Sequence, residues 1–439
     1  MEYTRTNLIY SLASKLPKEI VFGGSYRAAK KTYFEYTNSE NKSEYIKAYI
    51  GKKLNETYKN SRDCLFYQSY DFSVENTKLA FIDKTAVLSA GESIVRTKFR
   101  ADLVTTGGTS GKPLAFFIDK SRKGFEWYWM TKGWENAGFN SDKSWRAVLR
   151  NHDLSGMEFC VNPLLREVRF NNFNLTNEYL HKITKVIVEK NLEFVHAYPS
   201  AAYTLAKFWE DNSNKPTCVK SFLCGSENIL NSQKALIQNV LNIRMLTWYG
   251  HSEKLILAHE GITCENYHCN PFYGHAEIID GNGHPVTHPG DFGELVGTGF
   301  INTKTPFIRY RTGDYAEFVG NTCPNCGHNG LTFRNIRGRW NGDKIFLSNN
   351  TFVSTTALNL HDEIYTVING LQYFQNDVGN LEVRILPGEN WTALHKDTLL
   401  SYLYKKVPEG LEFKIKEVTE LELSKNRKFQ LLIQQTPTS

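Results

Sequence analysis

Apolar positions recur with helical spacing in residues 43–58, 177–190, 200–211 and 232–241. Short β-prone runs, Leu192-Glu193-Phe194-Val195 and Met245-Leu246-Thr247-Trp248, fall between and after them. That alternation predicts a layered α/β architecture, because each element hides one apolar face against the next layer. Residues 25–60 are polar and rich in Lys, Asn and Tyr, which predicts surface helices wrapping the main body. A helix over 124–139 would carry Phe125, Trp127, Tyr128, Trp129 and Trp134 on more than one face. These rings serve either as core packing or as the wall of a pocket for an apolar group. From 277 to 318 the pattern changes to short strands and Gly/Pro turns, predicting a smaller β-rich subregion. Beyond Trp340 strand and helix pieces continue for roughly 100 residues, enough for a separate α+β domain. The expected division is therefore a large domain at 1–339 and a small one at 340–439.

A chain of 439 residues with 41% hydrophobic and 13% aromatic positions can build sizeable cores, and two domains are expected at this length. The net charge of +6 is spread over mixed basic and acidic positions without long single-sign blocks, which argues against nucleic acid as a partner. No apolar run is long enough to cross a bilayer, and the N-terminal segment lacks a signal-peptide core, so a cytoplasmic protein is expected. Eight cysteines in this length do not make a disulfide scaffold.

The densest chemistry lies in Thr105-Thr106-Gly107-Gly108-Thr109-Ser110-Gly111-Lys112-Pro113. Glycines let the backbone approach an anion, while the hydroxyls and Lys112 donate to it, so phosphate is the first ligand implied. A Walker A loop is excluded: Thr106 stands where its first glycine belongs, and Pro113 where its Ser/Thr belongs. The apolar flanks predict a loop joining two strands; a plain Gly/Thr hairpin is the competing reading.

Further segments add to the loop: His196-Ala197-Tyr198-Pro199-Ser200, Cys224-Gly225-Ser226-Glu227, Tyr249-Gly250-His251-Ser252-Glu253, Thr305-Pro306-Phe307-Ile308-Arg309-Tyr310-Arg311-Thr312-Gly313-Asp314, Gly338-Arg339 and Leu423-Ser424-Lys425-Asn426-Arg427-Lys428-Phe429-Gln430. Together they resemble the adenylate-forming enzymes, specifically the short phenylacetate–CoA ligase-like branch that includes capsular polysaccharide biosynthesis relatives. The resemblance implies a large adenylation domain with layered sheets and a small mobile C-terminal domain. It implies that Thr106, Gly107, Gly108, Thr109, Ser110, Gly111 and Lys112 close over ATP phosphates, with Thr109 among the catalytic groups. Gly225, Ser226 and Glu227 would lie along adenine, and Tyr249, Gly250, His251 and Ser252 would line the nucleotide. Glu253 would hold Mg²⁺, Asp314 would accept hydrogen bonds from the ribose hydroxyls, and Arg339 would stand near ribose or phosphate. His196 and Tyr198 would face the substrate carboxylate, while Lys428 would reach the carboxylate and α-phosphate. The domain hinge would fall at Asn341 or Asp343. Arg427 stands where the family has glycine and Gln430 where it has arginine.

Apart from that resemblance, Cys264-x3-His268 and Cys323-Pro324-Asn325-Cys326 have ligand spacing. The tight CxxC turn brings two thiolates to one Zn²⁺, and a distant Cys/His pair completes a tetrahedron with no open position, implying a structural zinc. Cys269, His259 and His328 are competing ligands, and an unmetallated surface turn is the alternative.

The expected activity is ATP-dependent activation of a carboxylic acid as an acyl-adenylate, followed by acyl transfer to the thiol of CoA or to an amine. A non-catalytic nucleotide- or acyl-binding homologue is the alternative, motivated by Arg427 and Gln430; a zinc-ribbon nucleic-acid binder is a third.

Overall fold

The structure is a computed structural model that describes residues 10–106, 114–150, 154, 156–172, 175–226, 231–337, 344–349, 352–358, 364, 367–407, 409–422 and 431–436. The polar N-terminal segment folds into helices α1 (Gly23–Thr37) and α2 (Lys42–Ser61). Asn41 starts α2 by accepting a hydrogen bond from the Glu44 backbone N–H, satisfying one of the orphan donors of the first turn. Strands β1 (Ala101–Thr106) and β2 (Leu114–Asp119) pair antiparallel, with Thr106 opposite Leu114, so the Gly/Thr-rich segment connects two strands as its flanks predict. The hairpin is pinned at its base. Asn302 donates to the Phe117 carbonyl at 3.0 Å, and the Phe117 N–H donates to Thr305 Oγ1 at 3.1 Å.

The main body is a twelve-stranded mixed sheet. Its strands are β3 (Arg146–Leu149), β4 (Phe159–Asn162), β5 (Glu167–Phe170), β6 (Phe194–Ala197), β7 (Ser221–Gly225), β8 (Arg244–Gly250), β9 (Leu257–Glu260), β10 (Tyr267–Cys269), β11 (Gly274–Ile279), β12 (Phe292–Gly299), β13 (Tyr310–Thr322) and β14 (Asn329–Arg337). They lie in the order β11-β12-β13-β14-β10-β9-β8-β7-β6-β3-β5-β4. Strands β3, β6, β7 and β8 run parallel, whereas β8 onto β9 begins the antiparallel half. The β-rich segment at 277–318 is continuous with the α/β sheet. Backbone pairing between Trp248 and His259 closes the join, which periodicity along the chain does not encode.

Helices α3 (Arg122–Trp134), α4 (Asn177–Glu189) and α5 (Pro199–Asp211) fall where the apolar spacing predicts. Strand β6 begins two residues later than the Leu192-to-Val195 run. The 232–241 stretch is a short α-turn, Asn231–Ala235, continued by a π-turn, Leu236–Val240. The aromatic residues of α3 pack: Tyr128, Trp129 and Trp134 are buried in a cluster with Tyr26, Phe139, Phe194 and Trp248. Tyr33 and Phe272 from other elements meet Trp129 ring to ring.

The C-terminal strands β15 (Lys344–Phe346), β16 (Phe352–Ser354), β17 (Ile368–Gln375), β18 (Asn380–Pro387), β19 (Glu412–Glu417) and β20 (Leu432–Gln434) accompany helix α6 (Ala393–Lys406). Strands β17 to β20 make a four-stranded sheet in the order β19-β18-β17-β20. A core that includes Ile345, Leu371, Val383, Leu399, Leu403, Ile415 and Leu432 draws only on residues from 345 onward.

Candidate active site and Cys/His cluster

Strands β3, β6, β7 and β8 end side by side: Leu149 lies opposite Ala197, Ala197 opposite Cys224, and Gly225 opposite Trp248. In open α/β sheets the crevice beyond such carboxyl ends is where ligands bind, because the chain leaves the sheet there and loops present side chains and free backbone groups. At the end of β8, buried Tyr249 donates its hydroxyl to Asp314 Oδ2 at 2.8 Å. Burial and the neighbouring Asp314 charge push the Tyr249 phenol well above its ordinary range, so it stays a donor. Asp314 is re-aimed by an irregularity in the β12–β13 register between Glu294 and Val296. Gly313 takes a φ of 74° there, with its N–H held by Glu294 Oε1 at 2.8 Å.

Glu253 stands in the turn between β8 and β9. Its Oε2 lies 3.1 Å from His251 Nδ1, and its Oε1 accepts from the Tyr310 hydroxyl at 3.3 Å. Burial alone would raise this carboxyl, but His251, the backbone and Tyr310 together hold it below the ordinary carboxylate value. An ionised oxygen donor suits Mg²⁺, which takes one or two carboxylates and fills its remaining positions with water and phosphate oxygens. Lys254 follows with φ of 61°, a left-handed conformation uncommon for a side chain this long. Gly250 closes β8, and Ser252 is exposed in the turn.

A second group forms around a residue the motifs did not single out. Arg150, immediately after β3, places Nη1 3.0 Å from His196 Nε2 and donates from Nη2 to Ser226 Oγ at 2.8 Å. Its guanidinium also lies 4.4 Å from the Tyr198 ring centroid. Arginine only donates, so His196 accepts at Nε2 and its ring is neutral. The signal that could have found Arg150 is its position as the first polar residue after the apolar run Ala147-Val148-Leu149 of a parallel strand.

Cys264, His268, Cys323 and Cys326 converge, with all four ligand atoms within 4.8 Å of one another. Cys264 Sγ lies 3.8 Å from Cys323 Sγ, 3.9 Å from Cys326 Sγ and 3.5 Å from His268 Nε2. Tetrahedral zinc with bonds of about 2.3 Å to sulfur needs edges of about 3.8 Å between sulfurs, so the donor set fits the ion. Asn266 donates to Cys323 Sγ at 3.5 Å. Burial opposes ionisation of Cys323, but Asn266 and the backbone N–H groups of Asn325 and Cys326 hold its thiol below the ordinary value. Burial pushes Cys264 up to about 11. Of the competing ligands, Cys269 is buried outside the group, and His328 stacks on His268 with centroids 4.5 Å apart. Among the described residues no other cluster of this kind occurs.

Thr106 ends β1, while Gly107, Gly108, Thr109, Ser110, Gly111, Lys112, Glu227, Arg339, Asn341, Asp343 and Lys428 lie outside the described residues. Sequence reasoning also missed Asn266, whose amide holds a candidate ligand, and the part Tyr310 takes in holding Glu253.

No protein-family model matches the chain. Protein CapK of Staphylococcus aureus is 23% identical over 334 residues, covering 73% of this chain and 70% of that protein. Among solved structures, 2-hydroxyisobutyryl-CoA ligase in complex with 2-HIB-AMP and CoA, in the thioesterification state, superposes with a TM-score of 0.57 at 14% identity. The match covers 90% of this chain and 91% of that one. An open conformation of the same ligase gives 0.53, covering 90% and 93%. The fold of this chain is the fold of that ligase. Among the described residues, no helix is long and apolar enough to cross a membrane.

Proposed function

We propose that this chain, which has the fold of adenylate-forming ligases, activates a carboxylic acid with ATP. A carboxylate oxygen attacks the α-phosphorus, the bond to the bridging oxygen breaks, and its electron pair leaves with pyrophosphate. A thiol, as in CoA, or an amine then attacks the acyl carbon of the mixed anhydride and AMP departs. The observation that carries this reading is the convergence, at the strand ends, of Tyr249 on Asp314 and of His251 and Tyr310 on Glu253.

In this reading Asp314, oriented by Tyr249, accepts from the ribose diol, and Glu253 is the ligand for Mg²⁺, which when bound neutralises phosphate charge. Thr106 to Lys112, with Thr109, grip the phosphates, and Ser226 and Glu227 border the base. Arg339 approaches ribose or phosphate, and Lys428 stabilises the charge that develops on phosphorus. The small domain, 340–439, turns about Asn341 or Asp343 between the two steps. Cys264, His268, Cys323 and Cys326 hold a structural zinc that ties β10 to the β13–β14 turn. The likeness to Protein CapK supports a place in the capsular polysaccharide branch of phenylacetate–CoA ligase-like proteins.

The test is ATP–pyrophosphate exchange over a panel of carboxylic acids, with ATP binding measured separately by calorimetry. Acid-dependent exchange that is lost in Lys428→Ala while ATP still binds is expected. ATP binding with no exchange for any acid would leave the non-catalytic reading, to which Arg427 and Gln430 already point.

A further inference from the structure

Arg150 itself has no part in the adenylation chemistry described above, although its partner Ser226 does. Arg150 is half-buried, and a guanidinium partly withdrawn from water is ordinarily matched by a carboxylate. Here, among the described residues, its partners are a neutral imidazole, a hydroxyl and the face of a phenol ring. Each partner restrains the side chain and none neutralises it. Arginine has five N–H donors, and the two contacts with His196 and Ser226 engage one on each terminal nitrogen, leaving donors directed elsewhere. The three partners come from the ends of β6 and β7, so the cation is held at the carboxyl ends of the parallel strands. Tyr249 lies on β8, the next strand over from β7, and neighbouring strands are about 4.8 Å apart; Asp314 reaches Tyr249 from β13. A held cation at that remove from the nucleotide residues can meet the far end of a short acid whose near end reacts.

We propose that Arg150 is a specificity-determining residue that selects an acid carrying a second carboxylate. This rests on the adenylation reading for which end reacts, but not for whether the diacid binds. Arg150 pairs with the distal carboxylate in the two-pronged geometry its planar fork favours. Tyr198 stacks beneath the guanidinium, while His196 and Ser226 fix its rotation, so little side-chain freedom remains to be lost on binding. The reacting carboxylate is the other anion that could seek this cation, and matched pairs of acids separate the two.

The experiment is calorimetric binding of succinate and glutarate against butyrate and valerate to the full-length protein, with pyrophosphate exchange run on the same four acids. Each diacid is expected to bind at least 10-fold more tightly than its matched monoacid, as a charge-assisted pair of roughly 1.5–3 kcal/mol requires. Arg150→Gln, checked for an unchanged cooperative melt, should bring the two to parity, and Arg150→Lys should recover part of the difference. Equal binding of diacids and monoacids by the wild-type protein would overturn the proposal, as would an equal loss for both classes in Arg150→Gln. Diacid binding through Arg150 without pyrophosphate exchange would sink the adenylation reading and leave this inference standing. Exchange confined to monoacids and indifferent to Arg150 would do the reverse.

Discussion

Tyr249 and Asp314 are 65 residues apart in sequence and share a hydrogen bond whose acceptor is a carboxylate. Such bonds contribute about 1.5–3 kcal/mol, more than the small packing change on removing one hydroxyl oxygen. Tyr249→Phe should therefore lower the thermal midpoint and, with Asp314 no longer oriented, weaken ATP binding roughly 10-fold, as thermal melts and titration calorimetry would show. Unchanged affinity would detach Tyr249 from the nucleotide site. The residues of this group were legible in the sequence through the motifs that carry the family resemblance, Tyr249 to Glu253 and Thr305 to Asp314. Arg150 was not legible: its partners lie 46 and 76 residues away, and only the strand ends bring them to it. Glu253 shows the same limit. Its chemistry was expected, but its setting in a turn braced by Tyr310, 57 residues on, was not.

At the scale of elements, two glycines report how tightly the pieces meet. A Cβ on Gly261 would come within 2.6 Å of His268 Cε1 and 2.7 Å of Cys264 Sγ, displacing two candidate ligands without removing either. Gly261→Ala should lower the zinc content of purified protein, as Cys323→Ser should by deleting a ligand; full metal content in both variants would refute the site. In α3, Gly133 faces His259, and an added Cβ would lie 2.2 Å from its buried ring. Helix propensity favours Ala over Gly by about 1 kcal/mol, whereas overpacking a core costs roughly 1–3 kcal/mol. The clash wins, and Gly133→Ala should lower the thermal midpoint by a few degrees; a rise would show that the ring can move aside. Helices α4 and α5 were readable because a strong 3.6-residue period records one buried face. The length of β13 was not, since its irregular pairing with β14 depends on which strand lies beside it.

For the molecule as a whole, burial sets a dependence on pH. Desolvation lowers the His259 pKa from the ordinary 6.5 to about 3, so the folded protein keeps this ring neutral where the unfolded chain would protonate it. Its contribution to stability is complete above pH 6.5 and is lost as pH falls from there towards 3. Urea midpoints measured between pH 7 and 5 should fall less steeply for His259→Gln than for the wild-type protein; identical slopes would exclude this ring as a cause. By itself the sequence determined the kinds of chemistry present, namely a phosphate-suited loop, clustered carboxylates and a CxxC turn with a Cys/His pair. It also determined the alternation of helices and strands, because side-chain type and local periodicity are properties of neighbouring residues. Only the tertiary structure decided that the parallel and antiparallel strands form one sheet, that four ligand atoms meet from 264, 268, 323 and 326, and that Arg150 is held at the carboxyl ends of the parallel strands. Those outcomes depend on backbone pairing between distant segments, and pairing register is fixed by which faces are buried together rather than by any one stretch of chain.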